Sequence, residues 1–104
     1  MSEAMKNIVE TTLDDMKGVD IKVFDVSEIV KYTDWAVIVT GTSSTHLKAM
    51  ADKLEINMKG QGYTVIGIEG VESGNWVLQD YGDIVVHIMT KDAREFYQLE
   101  KLFI

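Results

Sequence analysis

The residues able to do chemistry form few useful combinations. Asp80 and Asp83 flank Tyr81-Gly82, and paired carboxylates can hold Mg²⁺ or work as acid and base. In a nucleotidyltransferase such acids stand one residue apart on a strand, soon after a Gly-Ser turn. Here two residues separate them, and they follow Gly41 by 39 and 42 residues. That spacing suits a turn, where Asp bonds to its own backbone. Gly41-Thr-Ser-Ser-Thr45 leads from an apolar run into a helix, and helix N-termini attract anions. A phosphate loop also needs Lys followed by Ser or Thr after its second glycine, and that pair is missing. The segment therefore reads as an ordinary turn with hydroxyl capping. His46 and His87 are the only histidines. They fall on separate elements and make no metal set, and no G-x-S-x-G turn offers them a nucleophile. His87 lies between Val86 and Ile88, so it should point to the opposite sheet face as a partly buried, hydrogen-bonded ring. No cysteine is present, which excludes disulfides, thiolate nucleophiles and cysteine-bound zinc. We expect no catalytic residue, no metal and no cofactor. Trp76, Tyr81 and Tyr97 are different: aromatics beside acids, the first two in a stretch without bases, resemble interface anchors, although by themselves such residues are more often core than contact.

The elements that position these residues follow from periodicity. Residues 3–17 carry Met5, Ile8, Val9, Leu13 and Met16 at helical spacing, with Ser2 as N-cap and Gly18 as stop. Ile21–Val26 reads as a strand. Trp35–Thr40 is a continuous apolar, β-branched run, the mark of a strand buried on both faces. Leu47, Met50, Ala51, Leu54 and Met58 stripe a second helix that Gly60 and Gly62 end. Tyr63–Glu69 and Trp76–Gln79 read as strands separated by a turn over 70–75. Asp80–Asp83 makes a tight hairpin turn around Gly82, and Ile84–Met89 returns. The last helix starts near Thr90 or Asp92 and should bury Phe96, Leu99, Leu102 and Phe103. The order α-β-β-α-β-β-β-α predicts an α/β (α+β) fold: a mixed sheet covered by helices.

The 104 residues suit one domain, residues 1–104. At 46% hydrophobic and 26% charged the chain is ordinary for a folded protein. No apolar run reaches the ~20 residues of a membrane span. The first seventeen residues carry acids as well as bases, unlike a transit or signal peptide, so we expect a cytoplasmic protein. The net charge is −7, and no Lys or Arg occurs between Lys59 and Lys91. A stretch holding Glu69, Glu72, Asp80 and Asp83 repels phosphates, so direct nucleic-acid binding is not expected. A basic protein surface is the natural partner.

One resemblance covers residues 5–103. The C-terminal half reads Glu69-Gly70, then Asn75-Trp-Val-Leu-Gln-Asp-Tyr-Gly-Asp-Ile-Val-Val-His-Ile-Met89, then Arg94-Glu-Phe-Tyr-Gln-Leu-Glu-Lys-Leu-Phe103. It resembles the ribosomal silencing factor (Iojap-like) family, whose pattern is an EG pair, W-x-L-x-D-Y-G-x-x-V-x-H and R-x-F-Y-x-L-E-x-L-[WF]. Upstream, Tyr32-Thr-Asp-Trp-Ala-Val-Ile-Val-Thr-Gly-Thr-Ser43 with His46 is similar to the family's opening strand. The one departure is Phe103, where Trp is common. The resemblance implies a five-stranded mixed sheet, distantly nucleotidyltransferase-like without the catalytic acids. It also implies binding to the large-subunit ribosomal protein conventionally numbered fourteen, at the intersubunit face, which blocks small-subunit joining and represses translation. The contact region carries over to Trp76, Asp80 and Tyr81, with Leu78 and Asp83 as neighbours. His87, Arg94, Tyr97 and Glu100 also match the pattern. Tyr81→Ala and Asp80→Ala are expected to fold normally and lose binding, and a weak homodimer is expected to share the surface. The competing enzymatic expectation is a degenerate nucleotidyltransferase using Asp80, Asp83 and the Gly41 turn.

Overall fold

The apolar run starting at Trp35 forms the middle of the sheet. In the computed structural model, which describes residues 2–103, strand β2 (Trp35–Gly41) is buried from Ala36 onward. The other elements are α1 (Glu3–Asp15), β1 (Val19–Asp25), α2 (Ser44–Gly60), β3 (Gly67–Glu69), β4 (Trp76–Asp80), β5 (Ile84–Thr90) and α3 (Lys91–Tyr97), followed by a 3-10 turn at Leu99–Leu102. Their order is the expected one with the 3-10 turn added. The five strands lie side by side as β1-β2-β5-β4-β3. β2 and β5 run parallel, and the other pairs are antiparallel.

Because side chains alternate across a strand, the register sorts residues into two faces. Ile68, Gln79, Val86, Val37 and Val23 form one row across all five strands. Of these Val86, Val37 and Val23, with Val77, Ile88 and Val39, meet α1 and α2, whose Val9, Leu13, Leu47, Met50, Leu54 and Met58 complete the main core. Glu69, Leu78, His87, Ile38 and Lys22 form the matching row of the opposite face. There α3 and the 3-10 turn cover only part: Ile38, Met89 and Ala93 make a smaller cluster with Phe24, Trp76, Leu99 and Phe103.

Several boundaries depart from expectation. α1 ends at Asp15, and Lys17 rather than Gly18 takes the left-handed position, φ 61°. Gly18 N–H donates to Leu13 O and Lys17 N–H to Asp14 O, the paired bonds of a Schellman motif. Glycine is needed at 18 for closeness, since a Cβ would stand 2.6 Å from Val39 Cγ2. Ser2 holds the N-cap place but makes no capping bond; its hydroxyl accepts from Trp35 Nε1 at 2.8 Å. β3 is shorter than expected because Tyr63 N–H still bonds Met58 O at the helix end. The largest correction is at the C-terminus. α3 stops at Tyr97, where Gln98 turns left-handed (φ 49°), so Leu99 and Phe103 pack inward while Phe96 stays 80% and Leu102 67% exposed.

The candidate docking face

The second sheet face is left half uncovered over β4 and β5, and most of the residues singled out in the sequence meet there. Leu78 and His87 oppose each other, as do Asp80 and Val85; all four are half-buried. Trp76 stands at the rim, its ring centroid 4.7 Å from that of Tyr97, and Tyr97 in turn meets Phe96 edge-on at 5.0 Å. Gly70 (φ +84°) packs so closely on the Trp76 carbonyl that any Cβ would collide with it. This gives the Glu69-Gly70 pair a physical role: it seats the strand that carries Trp76. Phe96, expected in the core, borders this face through Tyr97, and Val85 belongs to it without having been singled out; for Val85 the alternation with Ile84 and Val86 was the available signal.

Tyr81 does not belong to this face. It is 5% exposed and lies in the main core. Its hydroxyl donates to Gln79 Oε1 at 2.6 Å, and Gln79 Nε2 donates to Ala51 O at 2.8 Å. Burial, with the charge of Glu55 adding to it, pushes the phenol above its ordinary range. The expectation that Tyr81 lies in an exposed contact region is thus corrected: its ring and hydroxyl are consumed internally, and Tyr81→Ala is expected to lose stability. Asp80 is partly engaged too, Oδ1 accepting from Gly82 N–H at 2.8 Å, while Asp83 is exposed.

His87 points as expected, away from Val86 and Ile88. Its Nδ1 accepts from Trp76 Nε1 at 3.1 Å, and burial holds its pKa down to about 4, so the ring is neutral at physiological pH. Arg94 and Glu100 serve each other. Arg94, 7% exposed, donates through Nε to Glu100 Oε2 at 3.0 Å and through Nη1 to Asp20 O at 2.7 Å and Thr40 Oγ1 at 3.0 Å. This ties the 3-10 turn to the start of β1. A cavity of about 550 Å³ lies beside them, lined in part by Val19, Gln98 and Lys101.

The enzymatic alternative loses its geometry. Gly41 pairs with Thr90 at one end of the parallel pair, while Asp83 precedes the Trp35–Ile84 pair at the other. Seven residues of strand separate the two ends, about 20 Å at 3.3 Å per residue. The Gly41 turn is also filled from within: Thr42 N–H donates to His46 Nδ1 at 2.9 Å, His46 Nε2 donates to Met16 O at 2.8 Å, and Ser43 Oγ accepts from His46 N–H. Among the described residues no three His, Cys, Asp or Glu gather as a metal set, and no helix is long and apolar enough to cross a membrane.

Fold and face together define a small α+β protein with a half-open sheet face and no assembled acid–base or metal centre among its described residues. The sequence model of the family described as "Ribosomal silencing factor during starvation" matches residues 1–104, and the chain belongs to that family. A ribosomal silencing factor of Haemophilus influenzae is 46% identical over 100 residues, 96% of this chain and 98% of that protein. A mouse protein named "Mitochondrial assembly of ribosomal large subunit protein 1" is 39% identical over 87 residues, 81% of this chain and 38% of that protein. A crystal structure of a Chromobacterium violaceum protein superposes with a TM-score of 0.96 at 35% identity, covering 99% of this chain and 86% of that one. Family membership makes the chain a regulatory protein of the translation apparatus.

Proposed function

We propose that this ribosomal silencing factor docks, in the cytoplasm, through the uncovered face of β4 and β5 on a protein of the large ribosomal subunit. Occupying that site keeps the small subunit from joining. The observation that carries the reading is the half-buried apolar surface of Trp76, Leu78 and Val85, bordered by Asp80 and exposed Asp83. Apolar anchors of this kind supply most interface energy. Acidic neighbours steer the face toward a basic partner, as ribosomal proteins are. The family resemblance supports the large-subunit partner and the steric block, and so does the printed name of the mouse relative. A weak homodimer using the same face would compete with the ribosome.

Leu78→Asp tests this. The position faces away from the main core, so the fold should hold, while a charge at the centre of the face should weaken docking by about 2 kcal/mol or more. Co-sedimentation with purified large subunits, scored against small subunits, reads it. A folded Leu78→Asp protein that pellets with large subunits like wild type, and still blocks subunit joining, places the docking surface elsewhere.

A further inference from the structure

We infer that His87 selects the partner of this face: Trp76 fixes it as a one-way donor whose Nε2–H is offered to a carbonyl oxygen on the docked protein. The inference rests on the docking reading above and adds the chemistry of the contact. An indole Nε1 can only donate. Its 3.1 Å bond to His87 Nδ1 therefore makes Nδ1 the acceptor, and the neutral ring must carry its proton on Nε2. The indole is itself packed against Tyr97, and the Trp76 backbone that carries it is seated on Gly70. It meets the imidazole at a 5.9 Å centroid distance and 47° between planes.

The proton so placed has no acceptor among the described residues. Nε2 finds no hydrogen-bond partner among the described residues, nor is it one of the polar atoms sealed from solvent without one. The ring stands half-buried on the uncovered face, where a docked partner can meet this N–H. Around it the face is apolar: Leu78 and Ile38 are its cross-strand neighbours, and Trp76 closes a third side. A lone N–H in apolar surroundings discriminates strongly, because a partner group that cannot accept leaves it buried and unpaired. A partner lysine or backbone N–H would set donor against donor. A partner carboxylate would meet Asp80 on the neighbouring strand and Glu69 beyond it, against the single base Lys22 on the far side of Ile38, so the balance on this face repels it. A carbonyl oxygen is the acceptor that satisfies the site without charge, and the uncharged state of His87 at neutral pH fits that pairing.

Two substitutions separate the two ring nitrogens. His87→Asn sets an amide oxygen near the Nδ1 position, keeping an acceptor for Trp76 but deleting the outward donor. His87→Gln sets its amide near Nε2, keeping the donor and losing the acceptor. Long-range ¹H–¹⁵N NMR of the free protein should show Nε2 protonated and Nδ1 bare; the opposite tautomer overturns the inference whatever the docking result. In co-sedimentation, His87→Asn should bind large subunits about ten-fold more weakly than wild type, with its Trp76 environment unchanged by fluorescence. His87→Gln should bind more tightly than His87→Asn. His87→Asn binding as well as wild type, or better than His87→Gln, while Leu78→Asp fails to bind, overturns the donor and leaves the docking face standing. Leu78→Asp binding like wild type removes the docking reading itself, and the inference with it. If His87→Asn does not fold, the tautomer still decides.

Discussion

β4 is one short strand with two occupations. Val77 and Gln79, with Tyr81 just beyond them, point into the main core beneath α2. Trp76, Leu78 and Asp80, from the same six residues, point to the uncovered face. Neighbours in sequence thus answer to different pressures: one set must fill space and satisfy every polar atom, the other must remain available. The buried set even includes a polar side chain, Gln79, 1% exposed, which is tolerated because Ala51 O and the Tyr81 hydroxyl use both ends of its amide. The two faces should therefore separate under mutation into variants that lose stability and variants that lose binding.

The largest effect expected is on the covered face. Tyr81→Ala removes a buried ring and leaves Gln79 Oε1 without its donor, and should lower unfolding free energy by about 4 kcal/mol. Tyr81→Phe, which removes the hydroxyl alone, should cost about 1–2 kcal/mol. Urea denaturation measures both. A wild-type midpoint for Tyr81→Ala would place the ring on the open face and dissolve the contrast between the faces.

A smaller effect is expected from His87. Its folded pKa of about 4 lies below the ordinary 6.5, so between those values the unfolded chain binds the extra proton. Stability is then full above pH 6.5 and falls as the pH drops toward 4, by about 2 kcal/mol between pH 7 and pH 5. Carboxylates add a background, so the measurement is the difference in slope between wild type and His87→Asn; equal slopes would mean that the ring is not held neutral. The smallest effect concerns the border of the open face. Asp83→Asn should alter stability by less than about 0.5 kcal/mol, while making large-subunit association less sensitive to salt. An unchanged salt dependence would take Asp83 out of the contact.

Most of the architecture was legible because its signals are strong: a buried β-branched run at the sheet centre, helical stripes, and a Gly82 turn closing the last hairpin. The faces of β4 were harder. Gln79 looks like a solvent residue by type, so the alternation from Trp76 to Tyr81 did not reveal that Tyr81 shares its side; only the amide's two internal partners explain why it can be buried. The C-terminal helix misled for a related reason. Phe96, Leu99, Leu102 and Phe103 fit one apolar stripe only if the helix continues, and the left-handed turn at Gln98 rotates the later residues, leaving Phe96 and Leu102 outside. The site was partly legible: Trp76, Leu78, Asp80, His87 and Tyr97 come together, while Arg94 and Glu100 form an internal brace that a motif alone cannot distinguish from a contact.

That brace has a kinetic consequence. The bond from Arg94 Nη1 to Asp20 O spans 74 residues, and the central parallel pair joins Trp35 to Ile84. Neither can form until nearly the whole chain is available, and such distant closures slow the search for the native state. During synthesis α1, β1 and β2 leave the ribosome long before β5 and α3 exist, so the middle of the sheet stays open until the last segments emerge. The protein is thus expected to finish folding only after α3 has emerged, and a nascent chain stalled before β5 should remain sensitive to protease along β2.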